Sequence, residues 1–588
     1  MPLRPSPTLP LRSGSAVELL APGGSKESVE VAMASGADAV YVGVGSANAR
    51  VRAQNFTVEH LPELVRYVHS FGARLHIPLN VPLTLGNIDS TLDVLSRGYI
   101  FGADAVIVRD EALVRAARAV VPDMPVHIST QAGVASVSRA RHFQGIGASR
   151  VILPRELSRG HIAELRRALP GLELEVFLFG AMCFGFSGAC LMGEAVSGRS
   201  GNYGGCSQPC RLAYVSPEGQ RVGRPFSMRD LDLIPHIPEL VGAGVSSLKI
   251  EGRLKSPAYV GCVVSWARRA LDAGGLSKEE YSQFDRDISV LYSRPRGPGY
   301  FSGESDWSRL VAPNSSGHTG LPVSEWRMVS DRDGTRLGLV PPVDIGLRDG
   351  LLLLVRSGGE VEERPYSIPA LWSGRDRGLP LARAGRYVEI PLPGSWQVSG
   401  VSVHSSDAVA SRYGRVDRGM RQVDDPLADL EPVVFEEVHV ASGSVWLRVG
   451  FGRYVQESRL SLGAVPATGR GFDGEMAARY FGSHCKFDIE PGLYINPSEL
   501  KAVRRRVVQD FWEGALREAG VLKAGLRRRL EEENWKEPIP DGQLALEHAA
   551  AHSWVTGFPH GEVISEGGTR FAVRSKGERT VVEWIPEK

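Results

Sequence analysis

The sequence predicts an α/β protein, a TIM-like (β/α)8 barrel followed by smaller mostly-β and α+β regions. Three observations predict it. Eight apolar strand-like runs recur, each followed by a helix-like stretch, over roughly 250 residues, which is the arithmetic of a closed barrel. The runs are rich in Val, Ile and Leu without clean alternation, as strands buried on both faces of a parallel sheet are. The alternation then stops at a Pro- and Gly-rich break, 293–303, after which short β-like runs take over. An open doubly wound sheet is the alternative, and such a sheet usually stops at about five to seven strands.

In chain order, residues 1–16 (MPLRPSPTLPLRSGSA) are rich in Pro and Ser and contain no apolar h-region, so they read as a disordered leader rather than a signal peptide. The barrel is assigned to 17–290. Its strand runs are ELLAP (18–22), AVYVG (39–43), LHIPLN (75–80), AVIV (105–108), VHIST (126–130), VILP (151–154), EVFLFG (175–180) and SLKIEG (247–252). Segments between them, such as KESVEVAMASGA and VEHLPELVRYVHSFGA, space apolar residues three and four apart and end near Gly, as amphipathic helices do. The stretch from Cys262 to Leu291 also reads as helical. Residues 291–410 alternate short runs (LGLVPP, LLLLVR, RYVEIPL) with Gly and Asp turns, the pattern of a small β domain.

Residues 411–535 read as an accessory α+β region. A helix is expected over 497–520, with Ser498 as its N-cap and Val503, Val507, Phe511, Ala515 and Ala519 on one apolar face. Residues 536–588 form a tail that mixes a short helix with β-like pieces, RFAVR and VVEWIP.

The bulk numbers set limits. At 588 residues the chain is too long for one ordinary core, and 43% apolar with 23% charged residues is ordinary for a globular protein. The net charge of +1 provides no global field toward nucleic acid or membrane, so any such surface is a local patch. No run of about 18 apolar residues is present, so no membrane span is expected. The cytoplasm is the expected compartment.

Four of the six cysteines lie in one Gly-rich stretch as Cys183, Cys190, Cys206 and Cys210, spaced Cys-x6-Cys-x15-Cys-x3-Cys. A loop of small residues bringing four thiolates together suits a soft metal or cluster, zinc or iron–sulfur. A structural zinc site normally uses two close knuckles, and only Cys206 with Cys210 approaches one. The spacing therefore favours an iron–sulfur cluster, with zinc the main rival; disulfides or plain burial are the remaining readings.

In a barrel, polar residues just after the strands face the active site. Here they are Asn80, Arg109 with Asp110, Thr130 with Gln131, Arg155 with Glu156, and Glu251 with Arg253. The cysteine loop follows the seventh run and belongs to the same rim. Glu251 and Arg253 suit a carboxylate-bearing donor, or a structural ion pair between themselves. Arg155 and Glu156 serve either a ligand or the cap of the next helix. Glu251, Glu156 and His127 are the acid–base candidates, whereas His76 and His127 also read as core histidines. Asn80, Gln131, Arg155 and Arg253 are the candidate substrate contacts. Arg504–506 on the helix expected over 497–520, with Arg527–529 further on, make this the most basic part of the chain, the footprint of an RNA phosphate contact or of a solvated helix face.

Several motifs in order, ELLAPGGSKESVEVAMASGADAVYVG, HISTQ, VILPREL, EVFLFGAMCFGFSGACLMG, SMRDLDLI and LKIEGRLKSPAYV, resemble the collagenase-like peptidase family U32 over roughly residues 17–325. The stretch IEPGLYINPSELKAVRRR is similar to the accessory domain of longer members, among them a ribosomal-RNA cytidine hydroxylase. The resemblance implies a 4Fe–4S cluster on Cys183, Cys190, Cys206 and Cys210. It also implies hydroxylation of an RNA pyrimidine (an rRNA cytidine or a tRNA uridine, at C5) without molecular oxygen, with prephenate as hydroxyl donor. Collagenase-like peptidase activity, or a non-catalytic cluster-bearing partner protein, are the alternatives. Many members carry His immediately before the Gly-Ala-x-Cys run, where this chain has Phe179. The peptidase alternative lacks an HExxH helix and a GxSxG elbow.

Overall fold

The structure, a computed structural model, describes residues 17–416, 433–535 and three strands between 563 and 584, with breaks at 47, 51–53, 217–218 and a few further loop positions. The leader (apart from Leu3) and the helix expected in the tail lie outside the described residues. RFAVR and the VVEW of VVEWIP fall on an antiparallel pair, Thr569–Lys576 with Arg579–Trp584.

All eight expected runs are strands: β1 Glu18–Gly23, β2 Ala39–Val42, β3 Arg74–Leu79, β4 Ala105–Val108, β5 Val126–Ile128, β6 Arg150–Ile152, β7 Glu173–Gly180 and β8 Ser247–Ile250. Each pairs in parallel with the next, and β8 pairs with both β7 and β1 (Glu18↔Ser247, Leu19↔Leu248), which closes the barrel. A short antiparallel strand, Asp230–Asp232, adds to the outer edge of β7. Helices between the strands start on side-chain caps: Ser25 receives Ser28 N–H, Asp110 receives Ala112 N–H and Ser158 receives His161 N–H.

The lower interior of the barrel is ionic. Arg150 bridges Glu18 and Glu175, with Nη1 3.0 Å from Glu175 Oε2, and Lys249 Nζ donates to Glu175 Oε1 at 2.9 Å. Ser247 Oγ donates to Glu18 at 3.1 Å. Burial acts most strongly on Glu18 and pushes its pKa upward, but Arg150, His76 and Arg74 outweigh it and hold the pKa at about 2. Sequence patterning takes these strands as uniformly apolar, and the charges that face inward are hidden among the apolar residues that face the helices.

Residues 321–409, with Val290 from the preceding helix, build a second hydrophobic core around a four-stranded and a five-stranded antiparallel sheet. The accessory region shares the barrel's core instead. Its long helix, Pro497–Glu532, runs twelve residues beyond the expected end and packs along the helices Ile88–Phe101 and Glu111–Val120. Its N-cap is Asn496, whose side chain accepts Ser498 N–H; Pro497 occupies the first helical position, where its missing donor costs nothing, and Ser498 therefore lies inside the helix. Val503, Val507, Phe511, Ala515 and Ala519 are buried as expected. Arg453, fully buried, ties this region to the barrel floor by donating to Tyr99 O at 2.8 Å and Ala103 O at 3.0 Å.

Candidate active site

The rim residues converge on a cavity at the C-terminal mouth of the barrel, lined among others by Tyr41, Arg50, Asn80, Gln131, Arg155, Lys249, Glu251 and Arg253. Glu251 lies between two arginines: Arg155 Nη2 donates to Oε2 at 3.1 Å and Arg50 Nη2 to Oε1 at 3.1 Å. Burial is the largest influence on Glu251 and raises its pKa, yet Arg50 and Arg155 outweigh it and bring the value to about 2. At neutral pH Glu251 is a fixed carboxylate that orients two cations; as a proton donor it is spent.

The ion pair expected between Glu251 and Arg253 is not formed. Arg253 donates to Asn48 Oδ1 at 2.9 Å and to Asn55 Oδ1, and so holds the loop after β2. Burial, its main influence, lowers its pKa to about 10. That loop delivers Arg50, which the sequence reading missed because it lies eight residues past the end of β2. The length of the β2 loop was the available signal, since long loops on this face carry function.

Asn80 accepts Ala49 N–H at 2.9 Å and donates to Ser129 Oγ at 3.2 Å, so it braces the same loop from the other side. Gln131 Oε1 and Thr130 Oγ1 are buried without a hydrogen-bond partner, which leaves two acceptors for a ligand. Asp110 is the cap of its own helix.

Glu156 is not a helix cap; Ser158 fills that role. The Glu156 carboxylate accepts Ser187 N–H at 2.8 Å and Ser187 Oγ–H at 2.9 Å, fastening the tip of the cysteine loop. His127 lies deeper than the mouth, where Ser129 two residues on lines the cavity instead. It is buried edge-on to His76 at 5.0 Å between ring centroids, and the Nδ1 atoms of both lack a partner. Burial, reinforced by Arg150, drives the His127 pKa well below 6.5, so the ring is neutral. Phe179 points away from the mouth and packs on Phe284 at 5.5 Å and Tyr259 at 6.2 Å. A residue at that position shapes the packing behind β7 and touches nothing in the mouth.

The four cysteines are free thiols on this same end of the barrel, Cys183 and Cys206 exposed, Cys190 and Cys210 half-buried. The pKa of Cys183 is raised, first by desolvation although the side chain reaches solvent, then by Cys190, against the pull of Arg155. Burial pushes Cys210 up to about 11, and the other three thiols push the same way. Cys183 and Cys210 each lie within electrostatic reach of the other three thiols, and Cys183 also within reach of Arg50 and Arg155. Among the described residues no three His, Cys, Asp or Glu side chains are close enough to share one metal ion.

The two arginine triplets stand at opposite ends of the long helix, about 35 Å apart at 1.5 Å per residue. Arg527 pairs with Asp89 at 2.6 Å, near the mouth end of the barrel, and Arg529 with Glu532 at 2.5 Å. Arg504–506 lie beyond the opposite end, past Trp512, which packs on Phe101 at 5.7 Å.

The model of peptidase family U32 matches residues 24–309. The chain is 34% identical over 381 residues to tRNA hydroxylation protein P1 of Bacillus subtilis, covering 62% of this chain and 89% of that protein. It is 31% identical over 358 residues to a 23S rRNA 5-hydroxycytidine synthase of Escherichia coli, covering 58% of this chain and 53% of that protein. A collagenase of Porphyromonas gingivalis is 28% identical over 317 residues, with coverages of 50% and 75%.

Proposed function

Given that the chain belongs to peptidase family U32, we propose that it is an RNA-modifying hydroxylase. In this reading it acts on C5 of an rRNA cytidine or a tRNA uridine, without molecular oxygen, with a 4Fe–4S cluster and a small carboxylate donor such as prephenate. The names of the relatives from Bacillus subtilis and Escherichia coli support RNA hydroxylation. The observation that carries the rest is the position of Cys183 on the mouth of the barrel, within electrostatic reach of the Arg50–Glu251–Arg155 bridge.

The donor set fits the cofactor. Four soft thiol donors come from one Gly-rich loop at the barrel mouth, the ligand set that an iron–sulfur cluster uses. Cys183, Cys190, Cys206 and Cys210 would hold it. When bound, such a cluster supplies electron exchange or an open iron site for an oxygen-bearing donor.

The chain's own residues supply position and charge. Arg50 and Arg155 present guanidinium groups to the mouth, the geometry that recognises a carboxylate through paired hydrogen bonds. Glu251 keeps both aligned until a donor carboxylate competes for them. Lys249, held by Glu175 beneath, adds a third positive charge under the Tyr41 ring, 4.5 Å from its centroid. Gln131 and Thr130 offer unpaired oxygens to a base or donor hydroxyl. RNA reaches this end past the helix end that carries Arg527–529.

The peptidase reading finds little support in the geometry. Ser158 Oγ and His161 Nδ1 lie 2.8 Å apart, but as the first and fourth residues of a capping box, each satisfying helix N–H groups.

The test is mass spectrometry of ribosomal and transfer RNA from a deletion strain, beside iron analysis of anaerobically purified protein. Loss of a 5-hydroxypyrimidine and about four irons per chain support the reading. Unchanged RNA with zinc-loaded, colourless protein removes it.

A further inference from the structure

Beside the mouth lies a second cavity, of 620 Å3, between the tip of the cysteine loop and the turn after β5. Its volume falls in the range of about 300–1,000 Å3 usual for small-molecule sites. Its polar lining includes Arg109, Arg139, Glu156 and His161, and Gln131 belongs both to this cavity and to the mouth cavity. Gln131 therefore stands at the passage between the two.

The loop tip above this cavity is pinned on both sides of Phe186. Glu156 holds Ser187 by two hydrogen bonds, and Arg109 Nη2 donates to Gly188 O at 3.2 Å. Gly188 has φ +76° and lies so close to Gln131 that a Cβ would come within 1.9 Å of the Gln131 carbonyl oxygen; only glycine permits that approach. Phe184, two residues earlier, packs on Phe226 and Trp307. Phe186 is instead 75% exposed at the lip of a polar cavity. A large apolar ring fixed in water by a rigid backbone, with arginines beside it, is a stacking platform with phosphate-binding neighbours.

We infer that this second cavity receives an unpaired nucleobase of single-stranded RNA, stacked on Phe186 and read along its edge by Gln131. The inference rests on the RNA hydroxylase reading and adds where the base sits. Phe186 lies between Cys183 and Cys190 in the sequence of this loop, and Gln131 links the cavity that holds the base with the mouth. A base inside a duplex has both faces covered and cannot use the platform, which restricts the substrate to loops, bulges or flipped nucleotides. The buried Gln131 Oε1, which has no partner in the protein, accepts a hydrogen from the exocyclic amine or ring N–H of the pyrimidine.

The experiment measures anisotropy of a labelled short single-stranded RNA, and of the same strand annealed to its complement, with the full chain carrying its native complement of iron. Wild type is expected to prefer the single strand. Phe186→Ala is expected to weaken single-strand binding about 10- to 100-fold, the effect of losing one base–aromatic stack. Phe186→Trp is expected to restore it, with both variants keeping the wild-type melting temperature and visible absorption. Gln131→Leu is expected to weaken binding of cytidine- and uridine-containing single strands alike, because both bases lose the same acceptor. If wild type binds and modifies RNA while Phe186→Ala binds within twofold of it, the base-stacking inference is overturned and the hydroxylase reading stands. If wild type neither binds nor modifies RNA, the hydroxylase reading itself falls.

Discussion

Arg155 donates to Glu251 at 3.1 Å while its guanidinium lies 3.6 Å from the centroid of the Phe177 ring. The arginine is held from two sides, by a carboxylate on β8's end and by an aromatic face inside β7, so its position does not depend on a ligand. A cation fixed in this way at the mouth of a barrel costs no reorganisation when an anion arrives.

Glu251→Gln leaves Arg50 and Arg155 without their counter-charge. We expect a loss of about 1–3 kcal/mol in stability, below the cost of breaking a fully buried pair because Arg50 reaches solvent. RNA hydroxylation is expected to fall at least about tenfold as the two guanidinium groups lose alignment. Urea unfolding and quantitative nucleoside mass spectrometry check the two effects separately.

The interior network makes a pH prediction. Glu18 has a folded pKa of about 2 against an ordinary value of 4.5, so its ionisation stabilises the folded state. A depressed carboxylate pKa contributes stability that is fully present above pH 4.5 and disappears as pH falls toward 2. Glu18→Gln should therefore be less stable than wild type at neutral pH, with the gap narrowing between pH 4.5 and 2 because a protonated Glu resembles Gln. Denaturation series at several pH values test this; a gap independent of pH contradicts it.

Cysteine replacements separate the quartet from the remaining two thiols. On the proposed iron–sulfur reading, alanine at Cys183, Cys190, Cys206 or Cys210 should remove most bound iron and the visible absorption of the purified protein. Cys262 and Cys485 are buried apart from the loop, Cys262 beside Tyr413 and Cys485 donating to Lys486 O, so Cys262→Ser or Cys485→Ser should retain the full iron content. Iron assay and absorption spectra decide this.

Phe179→His places an imidazole immediately before the Gly-Ala-x-Cys run. Because Phe179 is buried against Phe284 and Tyr259 with the Arg296 guanidinium 5.9 Å from its ring, an imidazole there is desolvated beside a cation and should lower stability by about 1–3 kcal/mol. RNA product identity should not change. A changed product would mean that this position reaches the substrate after all.

The Arg527–529 end of the long helix should matter to RNA more than the Arg504–506 end. Arg528→Ala is expected to reduce RNA affinity about two- to fivefold and to lower its salt dependence, while Arg505→Ala does neither. Filter binding across salt concentrations distinguishes them.

Much of the molecule was legible without coordinates. The eight strands were readable because a strand buried on both faces must be apolar over its whole length, and each run was bounded by helix caps and glycines. The place of the cysteine loop on the mouth end of the barrel was readable because it follows the seventh strand. Barrel geometry then put Asn80, Gln131, Arg155, Glu251 and Arg253 on one rim from their positions after the strands alone.

Partnership was what only the tertiary structure decided. Whether Glu251 meets Arg253 or Arg50 depends on how a long loop folds back over the mouth, and spacing along the chain carries no information about that. The same holds for Glu156, which reaches across to Ser187, and for Glu18, Arg150, Glu175 and Lys249, which come from four strands. Local sequence determines which elements form because hydrogen bonding and burial along one strand or helix are local. Contacts between side chains on different elements are set by closure of the whole barrel, and the electrostatics of the site follow from them.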